Sequence, residues 1–178
     1  MSDPVAASAQ PTAATPGAPA RRSGSLRVSA LLGAVVGLAD QLTKPWAVNR
    51  LSGGRDVDVV WTLRFHLTFN SGMAFSRGQG LGPVIGVVAL VVVVGLVLTL
   101  RRDASRLSTV GTGLVIGGAI GNIIDRLFRG DAWLRGSVVD FIDFQWFPIF
   151  NIADIAVNVG GALLILGAVR GGSQEAAP

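Results

Sequence analysis

The chain contains no cysteine and only one histidine, His66, and each shortage removes a class of chemistry. Without cysteine there are no disulfides, thiolate nucleophiles or thiolate metal sites, and the chain cannot itself be a lipoprotein lipidated on cysteine. A single histidine leaves a Ser-His-Asp triad one possible base, and it excludes a multi-histidine metal site. The chemistry that remains belongs to carboxylates, amides and arginines.

Charged residues are also scarce: they make up 15% of 178 residues, whereas 50% are hydrophobic and the mean hydropathy is +0.55. This composition is too apolar for a small soluble domain and is typical of a polytopic membrane protein. The net charge of +4 would suit a nucleic-acid partner, but the arginines form short clusters beside apolar runs, as they do around membrane segments. We therefore expect a membrane protein that binds no nucleic acid.

Four apolar segments each approach the ~20 residues that cross a bilayer as helix. They are residues 26–48, 83–100, 107–127 and 149–169. The uninterrupted apolar run of the first stops at Ala39, which is short enough for a signal peptide, although no A-x-A cleavage site follows. Extending it through "DQLTKPWAV" makes it long enough to span and puts Asp40 and Lys44 at the membrane boundary.

The segments outside these spans define the expected domain organisation. Residues 1–25 are rich in Ala, Pro, Ser and Thr and predict a disordered, dispensable tail. Residues 26–170 form the predicted membrane domain, and residues 171–178 a short C-terminal tail. Counting Lys and Arg gives no orientation, but arginines crowd the short connection between the second and third segments and precede the first. This favours cytoplasmic N and C termini.

Between the first two helices, "DVDVVWTLRFHLTFN" alternates apolar and polar residues and predicts one half-buried strand. A shorter extended piece, "GSVVDFIDF", lies between helices three and four. The two could pair into a small sheet on the outer face. His66 falls on the polar side of the first strand, so a solvated or hydrogen-bonded histidine is expected there.

Glycines recur every fourth residue in the third segment, at Gly113, Gly117 and Gly121, and Gly33 and Gly37 could match them in the first. Such stripes let helices approach closely. We interpret them as ordinary membrane-helix composition except at Gly121, which leads into a polar cluster.

An aspartate inside an apolar span is a candidate functional residue, because a charge at membrane depth costs a few kcal/mol or more unless it is paired or hydrated. Asp154 is such a residue. With four alternating spans, the ends of helices one and three and the start of helix four share one side of the membrane. The polar residues gathered there are Asp40, Asn70, Asn122, Asp125, Asp140 and Asp154.

Structural alternatives exist for some of these carboxylates. Asp125 could pair with Arg126, and Asp40 with Lys44 four residues later, so a structural and a catalytic role remain equally open for both. Asp143 is expected to be exposed or a supporting hydrogen-bond acceptor.

Asp140 and Asp154 have no basic neighbour within four residues and are flanked by apolar side chains ("VVDFI", "NIADIA"). Two close carboxylates in such a setting share a proton, so one serves as acid and the other as base. This is aspartic-protease chemistry, which needs no metal and no Ser, Cys or His.

Four ordered blocks make the chain resemble the lipoprotein signal peptidases, or signal peptidase II family. They are "DQLTK" at 40–44, "NSGMAF" at 70–75, "GNIIDR" at 121–126 followed by "GSVVDFIDF", and "FPIFNIAD" at 147–154. The resemblance implies four transmembrane helices with a small extracytoplasmic sheet and loop cap, in the inner membrane of a bacterium. It implies an aspartic endopeptidase that cuts diacylglyceryl-modified prolipoproteins before the lipidated cysteine, with no metal or cofactor. We expect a monomer surrounded by membrane lipids.

Carried onto this chain, the resemblance makes Asp140 and Asp154 the catalytic dyad. The residues implied to support the dyad, bind substrate or brace the pocket are Asp40, Lys44, Asn70, Gly72, Ala74, Gly121, Asn122, Asp125, Arg126 and Asn151. The linker "LFRGDAWLRG" after Arg126 looks longer than is usual in the family and predicts a bulge on the outer face. The main alternative function is a small cation or proton transporter with intramembrane aspartates, and a structural membrane adaptor is the third.

Overall fold

The computed structural model describes residues 22–72, 81–99 and 105–175 and contains four helices and three strands over these ranges. The helices are α1 (Arg22–Leu51), α2 (Gly82–Thr99), α3 (Arg106–Phe128) and α4 (Ile152–Glu175); the strands are β1 (Val57–Val60), β2 (Leu63–Asn70) and β3 (Val138–Asp143). All four helices are long and apolar enough to cross a membrane. The predicted membrane fold of four helices with a small sheet is confirmed.

Helix α1 is a single 30-residue helix, so the interpretation that includes "DQLTKPWAV" in the first span is correct. Its Asp40 and Lys44 are fully buried against other helices rather than placed at an exposed boundary. The helix begins within the predicted tail, at Arg22, and residues 1–21 lie outside the described ranges. At the other end, α4 continues to Glu175, beyond the predicted start of the C-terminal tail at residue 171.

Helix α3 lies at the centre of the bundle and packs closely on α1 and α4 through glycines. A Cβ added at Gly117 would lie 2.5 Å from the carbonyl oxygen of Gly33, and one at Gly113 would lie 2.8 Å from that of Ser29. A Cβ at Gly118 would collide with the carbonyl of Ala153 on α4. The interpretation of Gly113 and Gly117 as ordinary composition is therefore wrong, because these positions allow the close backbone approach.

Helix α2 packs mainly on α3. Over the described ranges it does not pack closely on α4, although α4 packs on another side of α3. A gap between α2 and α4 therefore opens to the side of the bundle.

The three strands form one antiparallel sheet in the order β1-β2-β3. The predicted pairing of the two extended segments is confirmed as β2 with β3. The single long strand is wrong: the chain turns at Trp61, whose φ is 51°, and folds back so that Val57 pairs with Phe65. No Gly, Pro or Asn marks this turn, so the alternating pattern ran through it unbroken.

The sheet rests on the C-terminal end of α1. Trp46 makes edge-on contacts with Phe65 of β2 and Phe141 of β3, at ring-centroid distances of 5.4 Å and 6.1 Å. Beneath these rings, Ala47 and Leu51 are buried against β3. This packing fixes β3 relative to the helices, which sets the position of Asp140.

Candidate active site

Asp140 lies in the middle of β3 and is 1% exposed. Its Oδ2 accepts a hydrogen bond from Nδ2 of Asn70 at 3.1 Å, and its Oδ1 accepts one from Nδ2 of Asn151 at 2.6 Å. Asn70 pairs with Val138, two residues before Asp140, so the side chains of Asn70 and Asp140 share a face of the sheet. The strand register thus delivers one amide to this carboxylate.

Asp154 lies in the first turn of α4, where it caps the helix together with Asn151. Its Oδ2 accepts from the backbone N–H of Asn151 at 3.2 Å, and Oδ1 of Asn151 accepts from the backbone N–H of Asp154 at 3.0 Å. This is a reciprocal capping box that satisfies two helix N-terminal donors. The other oxygen, Oδ1 of Asp154, accepts from Nδ2 of Asn122 on α3 at 2.8 Å.

Asn151 links the two carboxylates. Besides capping α4 beside Asp154, its Nδ2 donates to Asp140 and to Oδ1 of Asn122, the latter at 3.2 Å. Asn151 is itself fully buried. Any rotation of this amide would break contacts to both aspartates, so one side chain keeps them in fixed relation.

A second buried cluster, which we call the lysine cluster, consists of Asp40, Lys44 and Asp125. The Nζ of Lys44 lies 2.7 Å from Oδ2 of Asp40 and 2.9 Å from Oδ2 of Asp125, and it donates to Oδ1 of Asn122 at 3.0 Å. An ammonium has three donors, and all three are used. Because all three side chains of the cluster are fully buried, this pairing is required to keep the charges in the interior.

The lysine cluster also holds the backbone beside each carboxylate of the pair. Oδ1 of Asp40 accepts from the N–H of Ala153, the residue before Asp154, at 3.1 Å. Oδ2 of Asp125 accepts from the N–H of Val139, the residue before Asp140, at 3.0 Å. One ionic cluster thus ties α1 and α3 to both segments that carry the pair.

Several supporting residues from the sequence lie around the pair. Arg126 donates from Nη2 to the carbonyl of Gly72 at 3.1 Å, while its buried Nη1 has no hydrogen-bond partner among the residues described. The backbone N–H of Gly72 donates to Oδ1 of Asn70. A Cβ at Gly121 would lie 2.5 Å from Oδ2 of Asp40, so this glycine lets α1 approach α3 at the lysine cluster. Ala74 lies outside the described residues.

The structure shows which partners the other carboxylates have. Asp125 pairs with Lys44 and, at 2.8 Å, with Arg129, rather than with Arg126, because adjacent helical residues point in different directions. Asp40 does pair with Lys44.

Outside the bundle, Asp143 is buried and accepts a hydrogen bond from Nε of Arg64 at 2.8 Å. Of the two alternatives expected for Asp143, the supporting hydrogen-bond acceptor is confirmed and the exposed side chain is not. Nδ1 of the half-buried His66 lies 2.7 Å from Oδ1 of Asp56, as expected for a hydrogen-bonded histidine.

Two residues that contact the lysine cluster were not predicted from the sequence. Nε2 of Gln41 contacts Asp125 and the carbonyl of Gly121, and Arg129 flanks Asp125 from the loop. Gln41 lies within the "DQLTK" block, which was the available signal. The only sequence signal for Arg129 was its spacing, four residues after Asp125, which would place the two side chains on the same helix face.

The pair differs from the lysine cluster in its electrostatics. Among the described residues, no Lys, Arg or His lies within 4.0 Å of either Asp140 or Asp154. Burial and the charge of Asp154 raise the pKa of Asp140 to about 7, although the amide hydrogen bonds from Asn70 and Asn151 act in the opposite direction. Asp140 therefore exchanges its proton near neutral pH.

A cavity of about 520 Å³ opens beside the pair and follows the gap between α2 and α4. Its polar end is formed by the two carboxylates with Asn70, Asn122 and Arg126. Most of its remaining wall is apolar. Two neighbouring carboxylates that line one cavity between apolar helices, with amide partners on both, are the arrangement that acid–base hydrolysis by a membrane-embedded aspartic peptidase requires.

Comparisons with known proteins agree with this class. A family model described as signal peptidase (SPase) II matches residues 32–170. The lipoprotein signal peptidase of Mycolicibacterium smegmatis is 41% identical over 93% of this chain and 72% of its own length. That of Mycobacterium leprae is 42% identical over 82% of this chain and 73% of its own length.

A solved structure of a bacterial membrane enzyme superposes with a TM-score of 0.74 at 28% identity, covering 86% of this chain and 94% of that one. The chain belongs to the signal peptidase II family, and the predicted family is confirmed.

Proposed function

We propose that Asp140 and Asp154 are the catalytic dyad with which this chain removes signal peptides from diacylglyceryl-modified prolipoproteins, cutting before the lipidated cysteine. The observation that carries the proposal is the pair itself. Asn151 binds the carboxylate of Asp140 and the backbone N–H of Asp154, neither aspartate contacts a cationic side chain within the described residues, and both line one cavity. The lipoprotein signal peptidases that the chain resembles support the substrate class.

In the proposed reaction, one deprotonated aspartate takes a proton from water as the water oxygen attacks the scissile carbonyl carbon. The carbon–nitrogen bond then breaks, and the other aspartate gives its proton to the leaving amine. The products are a signal peptide with a new carboxylate and a lipoprotein with a free amino group. The pKa of about 7 at Asp140 suits a group that must exchange a proton near neutral pH.

The amides of the shell have two tasks in this mechanism. Asn151 and Asn122 keep the carboxylates in place through the contacts given above. The free Nη1 of Arg126 and the amide of Asn70 lie beside the same cavity and are donors for the oxyanion that develops on the scissile carbonyl.

The substrate enters sideways through the gap between α2 and α4, and its diacylglyceryl chains remain in lipid. We place the active site near the outer surface of the bacterial cytoplasmic membrane, with both termini in the cytoplasm, because arginines crowd the connections on the opposite side. All the groups proposed for catalysis belong to one chain, so the proposed reaction requires no second subunit.

The test is cleavage of a purified diacylglyceryl-modified prolipoprotein by the detergent-solubilised wild type, Asp140→Asn and Asp154→Asn, with the unmodified precursor as a second substrate. We expect only the wild type to cut, and only the modified precursor. Equal cleavage by all three proteins would remove the dyad. No cleavage by a folded wild type would reject the peptidase and lead back to ion transport.

A further inference from the structure

A polar side chain that neither the sequence motifs nor the proposed dyad uses lies deeper in the cavity. Asn158 is on α4 four residues beyond Asp154, about 6 Å further along the helix axis. It is exposed and lines the cavity. Because α4 begins at the active site and crosses the membrane, Asn158 lies further into the hydrocarbon region than the dyad.

Asn158 is only partly satisfied. Its Nδ2 donates to the backbone carbonyl of Asp154 at 2.8 Å, and this is its one hydrogen bond to the described residues. An amide offers two donors and two acceptor lone pairs, so one N–H and the carbonyl oxygen remain free. A polar group at this depth without water or protein partners costs several kcal/mol.

Among the described residues that line the cavity, no other polar side chain lies beside Asn158. The lining residues on the membrane side of the dyad are Ile85, Gly86, Ala89, Val92, Val115, Ala119 and Val157. Asn158 is therefore the one side chain at this level of the described cavity that can hydrogen-bond a ligand. Without substrate its unused atoms meet water or lipid, and in the complex they can bind a polar part of the substrate.

The substrate supplies such a part, if the proposed function holds. A signal segment that crosses the membrane as helix must unwind next to the scissile bond, because a peptide bond inside a helix is not accessible to the dyad. Unwinding frees backbone carbonyls and N–H groups that no longer have helical partners. In the hydrocarbon region these groups need protein partners.

We propose that Asn158 binds a backbone peptide group of the substrate on the signal-peptide side of the scissile bond. The free Nδ2–H donates to the carbonyl of that group, and Oδ1 accepts from a neighbouring substrate N–H. The signal-peptide side is assigned because it leads from the dyad into the membrane, as Asn158 does. Asn158 is thus a substrate-positioning residue, and backbone recognition requires no particular side chain in the signal peptide.

The test compares Asn158→Leu with the wild type on a diacylglyceryl-modified prolipoprotein. Leucine keeps the size but cannot hydrogen-bond, so we expect kcat/KM to fall about tenfold, as for the loss of one or two hydrogen bonds. Thr99→Val is the matched control: its hydroxyl also donates to a carbonyl of its own helix, Gly95 at 3.0 Å, but Thr99 does not line the cavity. This control should leave kcat/KM unchanged.

A second substrate identifies the bound group. Replacing single backbone amides on the signal-peptide side by esters removes one N–H each. At one position the ester should slow the wild type several-fold and leave Asn158→Leu unaffected, because the partner of that N–H is already lost. A further substrate carries ethers in place of the glyceryl esters of the lipid. If the difference in kcat/KM between the wild type and Asn158→Leu disappears on this substrate, Asn158 binds the lipid and the proposal is wrong.

The outcomes separate this inference from the proposed function. Cleavage by the wild type with none by Asp154→Asn supports the dyad independently of Asn158. Unchanged kcat/KM in Asn158→Leu would then overturn the inference alone. If the wild type itself does not cleave, the proposed function fails first and the inference fails with it.

Discussion

The lysine cluster and the proposed dyad are two neighbouring sets of aspartates that both contact Asn122, and they differ in what binds them. In the lysine cluster, Asp40 and Asp125 contact an ammonium at 2.7 and 2.9 Å. In the dyad, the contacts from side chains are neutral amides from asparagine. Both sets consist of aspartates, so the partner of each carboxylate, and not the residue type, decides whether its charge is neutralised by a cation.

Burial raises the pKa of Asp140 to about 7, whereas a neighbouring cation favours the charged form of a carboxylate. We therefore expect the lysine cluster to be needed for the fold and the proposed dyad to remain available for proton transfer. The two sets are also coupled mechanically, because each aspartate of the lysine cluster binds the backbone N–H beside one aspartate of the dyad. The following variants test this division, from the largest expected effect to the smallest.

Asp154→Asn should lower kcat/KM at least about 10³-fold, because removing one partner of an acid–base pair removes the proton transfer it performs. The capping of α4 by Asn151 survives, since an asparagine carbonyl still accepts a hydrogen bond. We therefore expect an unchanged melting temperature in detergent. A variant that melts much earlier would show that Asp154 is structural.

Lys44→Met should destabilise the fold by about 3–5 kcal/mol, because it leaves two buried carboxylates without their cation. The measurement is the free energy of unfolding in detergent, by denaturant titration. Lys44 is the only lysine in the chain, so amine-reactive labelling gives a second readout. Lys44 should react in the wild type only as fast as the bundle opens, and rapid labelling of the folded protein would contradict its full burial.

Asn70→Ala should raise the pKa of Asp140 above about 7, because the lost hydrogen bond stabilises the charged carboxylate. The pH at which kcat/KM responds to Asp140 should move upward by about one unit. Asn49 is exposed and provides the control Asn49→Ala, which should leave the pH dependence of kcat/KM unchanged. A downward shift would mean that Asn70 favours the protonated form.

The same pKa makes a prediction for stability. Asp140 binds its proton more tightly in the folded chain than at its ordinary pKa of 3.8, so the folded state holds more protons between these two values. The contribution of Asp140 to the unfolding free energy is therefore full below 3.8 and is lost as the pH rises through about 7. Asp140→Asn should remove this part of the pH dependence.

Arg129→Gln should have the smallest effect, a destabilisation of about 1 kcal/mol or less. Arg129 contacts Asp125 at 2.8 Å, but its side chain is 28% exposed, so water replaces much of the lost interaction. Comparing the loss of unfolding free energy in Arg129→Gln and in Lys44→Met shows whether the burial of a cation decides how much it contributes to stability. Equal losses in the two variants would contradict that conclusion.

The sequence predicted the helices well because a span needs about 20 apolar residues whatever its neighbours are. It did not predict the turn at Trp61, since the strand alternation passes through a turn that lacks the usual residues. It also left the partners of Asp125 open. Lys44 is 81 positions away, and only the close approach of α1 and α3 through glycine brings it within 2.9 Å.

For the candidate site, the four blocks identified the aspartates and amides but not their division into two sets. Nothing in "DQLTK" or "GNIIDR" shows that Asp40 and Asp125 share one lysine, or that each supports the backbone next to a different aspartate. Asn158 carried no motif at all. Its role depends on the cavity between α2 and α4, which exists only once the helices have packed.

The most direct test of this division makes the same substitution in both sets: Asp140→Asn and Asp40→Asn, each measured for cleavage and for melting temperature. We predict that Asp140→Asn abolishes cleavage and melts at or above the wild-type temperature, because one of two neighbouring like charges is gone. Asp40→Asn should melt clearly earlier and, below its own melting temperature, keep part of its activity. The opposite pattern, or equal losses of both properties in both variants, would contradict the account.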